Sequence, residues 1–309
     1  MQEHGYASNT PACDGEHVYV FFGKTGVLAF DFEGKQIWRQ SVGTGSDRLK
    51  WGSASSVTLY QDLVIINAWD EGKMLYALNK DTGKPVWKRD LSGAGLTFST
   101  PVLADLGQGH WELILALPKE VWGLDPDTGE RLWWIRTGMK GLVTGTPVVV
   151  GDRATIHGGG PSSQSSLAVR LGGKGDVTES HVIWTNPGAV SVPSPTYWKG
   201  LLYWVNNDGK ASCQDPRTGE LKYSQDLPVT GHFAVYASVV SAAERLYAVT
   251  RTGGVLVLAA RPEFEIIAHN RFATDNSDFN GSPAISNGCI MLRSNRFLYC
   301  IGSATDGSR

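Results

Sequence analysis

The chain has 309 residues, 41% of them apolar and 19% charged, with 28 Lys and Arg against 30 Asp and Glu. So even a balance lacks the basic excess that neutralising a phosphate backbone demands, which excludes a nucleic-acid partner, and the apolar content excludes intrinsic disorder. No apolar run reaches the ~18 residues of a membrane-spanning helix, and residues 1–16 show no basic region followed by an apolar stretch, so they are not read as a signal peptide.

Taken in chain order, the sequence repeats itself. A first unit, residues 10–40, opens on Thr10-Pro11, runs through the β-branched and aromatic stretch 17–22, and turns at Asp31-Phe32-Glu33-Gly34 ahead of Trp38. The second, 51–90, opens on Ser55-Ser56 and carries Ala77-Leu78-Asn79-Lys80-Asp81-Thr82-Gly83, with Trp87 four residues beyond the Gly. The third, 99–137, opens on Thr100-Pro101 and carries Gly123-Leu124-Asp125-Pro126-Asp127-Thr128-Gly129 ahead of Trp133. The fourth, 145–185, opens on Thr146-Pro147 and ends at Trp184 without the turn signature. The fifth, 193–226, runs from Ser194-Pro195 through 201–205 to Asp215-Pro216-Arg217-Thr218-Gly219 and Tyr223. Ser238-Val239 opens the sixth, 237–270, and Ser282-Pro283 the seventh, 281–301, ahead of a polar tail, 303–309. Successive openings are 45, 45, 46, 48, 44 and 44 residues apart.

Within each unit the apolar runs are short, rich in β-branched and aromatic residues, and bounded by Gly, Asn and Asp. Several are apolar at consecutive positions, as strands buried on both faces must be. Four short strands recurring every forty-odd residues predict an all-β fold, a β-propeller of four-stranded antiparallel blades in a single domain spanning 1–309. In the turn element the Asp accepts turn amides, the Thr closes the turn and the Gly takes the positive φ. The aromatic that follows is then expected on the outer strand, wedged against the next blade. Trp38, Trp87, Trp133, Trp184 and Tyr223 are therefore read as structural anchors, each removing ~150–250 Å² from water.

The Ala77–Trp87 and Gly123–Trp133 elements resemble the tryptophan-docking repeat of PQQ-like propellers, a superfamily that includes quinoprotein alcohol dehydrogenases and BamB-like assembly proteins. The stretches 173–178, 181–184, 192–195 and 297–302 are similar to bacterial PQQ-binding-like β-propeller repeats. The resemblance covers residues 6–302 and implies a bacterial protein in a periplasmic or extracellular setting. It also implies eight blades, so an upstream blade is expected to be missing, and the seventh unit has sequence for only two or three strands. A quinoprotein of this family stacks its quinone against a disulfide of adjacent Cys, which Cys13, Cys213, Cys289 and Cys300 do not supply. No bound cofactor is expected, neither PQQ nor Ca²⁺, and no catalytic residue is assigned.

Two readings of chemistry remain from the residues. Asp105 and Glu112 flank a Gly-rich turn that looks like a degraded calcium loop, with too few oxygens for the ~6–8 that calcium takes. Cys289 and Cys300 lie in a hairpin; a two-residue loop at Ser294-Asn295 sets them face to face, either as a disulfide or as two free thiols. Loops converging on one face are expected to carry Arg48, Lys50, Trp51, Trp69, Asp70, Glu71, Lys73, His157, Asn206, Asn207, His232, Tyr236, Arg251, Asp278 and Arg293. Trp51 and Trp69, loop aromatics outside the docking phase, mark that face for a protein, peptide or carbohydrate partner. The expected function is a non-catalytic scaffold or binding module; the alternative is a quinone-dependent dehydrogenase or another propeller enzyme.

Overall fold

The computed structural model describes residues 8–160, 163–188, 192–229, 231 and 233–302. It divides into two compact units, residues 1–189 and 190–309. The first holds four antiparallel sheets in chain order. Blade one runs Ala12–Cys13, Val18–Phe21, Val27–Phe30 and Gln36–Gln40; blade two runs Thr58–Tyr60, Leu63–Ala68, Met74–Asn79 and Pro85–Asp90. Blade three runs Val102–Asp105, Trp111–Leu117, Glu120–Leu124 and Arg131–Arg136, and Gly175–Asp176 joins its last strand in parallel. Blade four runs Val148–Val150, Arg153–Gly158, Ser165–Arg170 and Val182–Pro187.

The second unit holds blade five (Thr196–Trp198, Leu201–Val205, Lys210–Gln214, Leu221–Asp226) and blade six (Val240–Ala242, Arg245–Thr250, Gly254–Ala259, Ile266–Asn270). Blade seven has three strands among the described residues, Ala284–Ser286, Cys289–Arg293 and Leu298–Ile301. The fold class is thus the all-β propeller of antiparallel blades that the repeat predicted, with seven blades among the described residues where the resemblance implied eight. The expected polar tail, 303–309, and residues 1–7 lie outside the described residues. Among the described residues no helix is long and apolar enough to cross a membrane.

Burial follows position in the blade. The second strands of blades two and three, Leu63–Ala68 and Trp111–Leu117, are buried almost throughout, as sheets stacked on both faces require. Three of the fourth strands bury a single side chain: Trp38 in Gln36–Gln40, Trp87 in Pro85–Asp90 and Tyr223 in Leu221–Asp226. Opposite each anchor stands a small residue. Ala29 faces Trp38, Ala77 faces Trp87, Gly123 faces Trp133, Ala168 faces Trp184 and Cys213 faces Tyr223. At Gly123 a Cβ would fall 2.1 Å from the Trp133 ring, so only hydrogen fits there. Directly after that small residue each of these five blades has a register shift, which adds local twist and aims the anchor out of its own sheet; blade six has the same shift after Val257.

The anchors of blades one and two land on their successors' turns. The Trp38 indole N–H donates to the Lys80 carbonyl at 2.6 Å, and that of Trp87 to the Pro126 carbonyl at 3.0 Å. The turns are built as expected: Asn79 Oδ1 accepts the Thr82 amide and hydroxyl, and Asp125 Oδ1 accepts the amides of Asp127 and Thr128. Gly83 and Gly129 have φ of +68° and +71°, and a Cβ on either would sit 2.5 Å from the ring of Trp38 or Trp87. The Gly is therefore both the left-handed residue of its turn and the flat seat for the preceding blade's indole. Tyr223 meets Phe264 of blade six edge-on at 5.4 Å.

The Ser/Thr that opens each unit forms a second link. Thr10 N–H donates to Ser56 Oγ, Ser56 N–H to Thr100 Oγ1, Ser194 N–H to Ser238 Oγ and Ser238 N–H to Ser282 Oγ, all at 2.9 Å. The hydroxyl of one blade thus satisfies the first-strand amide of the blade before it.

The seat can be isolated from the turn. Gly34 has φ of +83° and nothing within 4 Å of its missing Cβ. Gly34→Ala should cost about 1 kcal/mol from backbone strain alone, and Gly129→Ala about 2–4 kcal/mol, because it also lifts Trp87. In a Trp87→Ala background the two costs should converge; urea denaturation of the parent and the five variants (three single, two double) checks this, and a persistent difference would refute the seat.

Candidate functional site

Blade two carries the densest group of loop residues. Its second strand runs into one helical turn, Trp69–Gly72, closed by Lys73 in the left-handed region at φ +55°. The loop after blade one lies flat on this turn. Gly45 N–H donates to the Glu71 carbonyl at 2.8 Å, and a Cβ on Gly43 or Gly45 would fall 2.3 or 2.8 Å from that oxygen. Asp47 N–H then donates to Asp70 Oδ1 at 2.6 Å, while Asp47 Oδ1 accepts the amides of Leu49 and Lys50. This pinning holds residues 47–51 in one shape. Leu49 and Trp51 are displayed at 38% and 46% exposure, and the Trp51 ring leans on Phe98 at 6.0 Å.

Beside the loop lies an open cavity of about 460 Å³, lined by Asp47, Arg48, Trp69, Lys73 and Leu96 among others. Leu96 belongs to a short parallel pair, Leu96–Thr97 with Leu142–Val143. Trp69 is buried, its indole N–H donating to the Leu91 carbonyl at 3.1 Å, and the Lys73 ammonium sits 3.2 Å above its ring. That corrects the reading of Trp69 as a displayed loop aromatic: the helical turn folds it into the core and leaves Trp51 outside.

The acids here are strained electrostatically. Burial raises the Asp70 pKa; the Asp47 amide opposes this, the Asp47 carboxylate adds to it and Lys73 opposes it. Burial pushes Glu71 up to about 7, opposed by its own backbone amide and reinforced by Asp70. Asp47 Oδ2, Asp70 Oδ2, Glu71 Oε2 and Lys73 Nζ have no hydrogen-bond partner among the described residues.

In the second unit the structure brings together Tyr236, Arg251 and Asp278. Arg251 Nη2 pairs with Asp278 Oδ2 at 2.8 Å, and its guanidinium lies 4.8 Å from the Tyr236 ring centre. Arg251 N–H donates to the Ala234 carbonyl and its carbonyl accepts Phe279 N–H, so the backbone is clamped on both sides. A cavity of about 420 Å³ opens nearby, lined by Val229, Thr250, Arg271, Phe272, Asp275 and Phe279 among others. Asn207 is buried and its carbonyl accepts Val235 N–H at 3.1 Å.

Other expected positions turn out differently. His157 is not on a loop but inside the strand Arg153–Gly158, 1% exposed, where burial pushes its pKa down to about 3. Arg293 ends the strand Cys289–Arg293 and is exposed, and His232 lies outside the described residues. Asp105 caps its own turn by accepting Gly107 N–H at 2.9 Å. Glu112 is buried and accepts the Trp133 indole N–H at 2.9 Å and Gly172 N–H at 3.3 Å. It is a docking residue: blade four lacks the signature turn, and this carboxylate stands in for the missing acceptor. Among the described residues no group of three or more His, Cys, Asp or Glu is arranged to hold a metal ion. Trp184 is half-buried opposite Ala168. Asp47 was absent from the expected site; its place behind Gly43-Thr44-Gly45 was the available signal.

A family model described as outer membrane protein assembly factor BamB matches residues 2–225. The chain belongs to this BamB family of PQQ-like propellers. BamB from Moraxella catarrhalis superposes with a TM-score of 0.70 at 15% identity, covering 93% of this chain and 82% of that one. A quinohemoprotein alcohol dehydrogenase from Pseudomonas putida HK5 reaches a TM-score of 0.62 at 12% identity, covering 93% of this chain and 63% of the enzyme. Both likenesses are of fold. A tetrathionate hydrolase from Acidithiobacillus ferrooxidans is 26% identical over 254 residues, 76% of this chain and 48% of the hydrolase. The chain therefore spans about half the length of that curated relative. In this BamB-family chain the loop after blade one lies outside the docking framework of Trp38, Trp87 and Trp133.

Glu71 gives a pH signature. A carboxyl whose folded pKa, about 7, lies above its ordinary value of 4.5 binds its proton more tightly when folded. Its contribution is therefore intact below pH ~4.5 and is lost as pH rises through ~7, by about 3 kcal/mol; Asp70 acts in the same direction. Glu71→Gln should flatten the fall in stability between these pH values and be more stable than the parent at pH 8. Denaturant titrations at three pH values check this; equal slopes would disprove the raised pKa.

Proposed function

We propose that the chain is a non-catalytic scaffold that presents the 47–51 loop to a protein or peptide partner. The observation that carries this reading is the pinned display of Leu49 and Trp51, flanked by the exposed cations Arg48 and Lys50. Large apolar side chains held rigid at the surface act as anchors of an interface, because little conformational entropy is lost when they are covered. Arg48 and Lys50 favour acidic groups around an apolar centre. Membership of the BamB family supports a protein partner over a carbohydrate, and a periplasmic or extracellular setting. No cofactor has a role in this reading: titration with PQQ and Ca²⁺ should leave the absorption spectrum and melting temperature unchanged.

A capped peptide alternating Phe and Glu is a suitable probe. Calorimetry should give saturable binding that weakens with salt. Trp51→Ala should lower affinity about tenfold at an unchanged melting temperature, since Trp51 is half exposed. Absence of saturation, or equal affinity of the variant, would remove the loop as the partner site.

A second reading is favoured by the tetrathionate hydrolase relative together with the acid of raised pKa. Glu71 beside Asp70 has the pKa profile of a general acid–base group near neutrality. Under that reading tetrathionate is consumed by the protein and Glu71→Gln abolishes turnover. Absence of turnover at any pH between 3 and 8 leaves the scaffold reading alone.

A further inference from the structure

Blade seven holds two thiols that neither the docking framework nor the loop site uses. The expected two-residue loop is wrong. Arg293 pairs with Leu298, so the turn spans the four residues 294–297, closed by Ser294 Oγ, which accepts the amides of Arg296 and Phe297 at 3.1 and 2.9 Å. The register moves by two residues: Met291 faces Cys300, and Cys289 comes opposite Gly302. Cys289 and Cys300 remain on the same face of the hairpin, as diagonal rather than direct neighbours, because side chains alternate along a strand.

The local packing favours contact between these sulfurs. A Cβ on Gly302 would fall 2.8 Å from Cys289 Sγ, so the Gly leaves the space that the sulfur occupies. The neighbouring Cys289 thiol, ahead of burial, raises the Cys300 pKa. Both are free, Cys289 half-buried and Cys300 exposed. The opposite face of the last strand is anchored: Tyr299 OH donates to Asp275 Oδ2 at 2.7 Å, and its ring lies 4.7 Å from Phe272. The strand Leu298–Ile301 has one neighbour among the described residues.

We propose that Cys289 and Cys300 are a redox pair that closes reversibly at the expense of a low-molecular-weight organic disulfide. The Cys300 thiol, the exposed one, loses its proton to solvent and attacks one sulfur of the oxidant. The oxidant's S–S bond breaks, a mixed disulfide forms on Cys300, and the first small thiolate leaves and takes up a proton. Cys289 then gives up its proton and attacks Cys300 Sγ, releasing the second small thiol. Two protein thiols are oxidised and one external disulfide is reduced to two thiols.

Diagonal neighbours sit roughly 7–8 Å apart at Cα, beyond the ~4.4–6.8 Å that a relaxed disulfide spans. Closure must therefore draw the last strand part of a residue along its partner. A strand with a single neighbour among the described residues allows that slide against the hold of Tyr299 on Asp275, and the Gly at 302 puts no side chain in its way. The resulting bond is strained, and strained, exposed disulfides are the easily reduced ones.

The experiment uses the full chain carrying Cys13→Ser, which leaves three thiols. It is incubated with oxidised glutathione at mildly alkaline pH, alkylated, and mapped by mass spectrometry. The expected result is loss of two free thiols, a 289–300 cross-link without retained glutathione, and recovery of both thiols in millimolar reduced glutathione. Cys213 should stay a thiol, because burial pushes its pKa up to about 11. Cys289→Ser should trap glutathione on Cys300. Glutathione retained on Cys300 when Cys289 is present, untouched thiols, or a cross-link between two chains through Cys300 would each overturn the proposal.

Discussion

The structure depends on an indole that is buried outside its own sheet. A four-stranded blade with both faces of its middle strands apolar has no stable existence alone; it must be covered by its neighbours. Trp38 and Trp87 convert that non-directional demand into a defined seating. Each ring lies on a Gly of the next blade and gives its N–H to a carbonyl of the same turn. Hydrophobic burial supplies most of the energy, and the hydrogen bond fixes where the ring goes, since a buried indole N–H without an acceptor is costly. The Ser/Thr hydroxyls at the first strands do the complementary task, satisfying amides that the ladder leaves unpaired.

Blade three shows how far this constraint reaches. Its anchor, Trp133, is followed by a blade with no signature turn, yet its N–H still finds an acceptor in Glu112. The same carboxyl group takes Gly172 N–H from blade four, so a side chain is buried where the Trp38 and Trp87 junctions use a backbone carbonyl. A position that reads in isolation as a metal ligand is a repair of the repeat.

Functional freedom lies where the repeat does not dictate the residues. The loop after blade one and the helical turn after the second strand of blade two interrupt the pattern. They carry buried acids at an electrostatic cost that the docking framework does not need. The same group rigidifies the loop, because Asp70 and Asp47 accept the amides that would otherwise let it move. Display of Trp51 and strain on Glu71 are therefore two results of one arrangement.

The period, the strand character and the turn chemistry were legible because they rest on contacts within a few residues: Asn79 with Thr82, Asp125 with Thr128, a small residue spaced to face the aromatic. The candidate site was legible only as a list of loop residues. Trp51 and Trp69 look alike in the chain, and one helical turn sends Trp69 inward. Asp47 acts through Asp70, 23 residues on; Glu112 acts through Gly172, 60 residues on; the thiol register turned on how Ser294 closes its loop. The sequence by itself determined which modules form and how each turn is made, since those are local energies. Only the tertiary structure decided which loop aromatic is displayed, which carboxylates are buried and which polar groups find partners, because burial is set by neighbours that the chain brings back from tens of residues away.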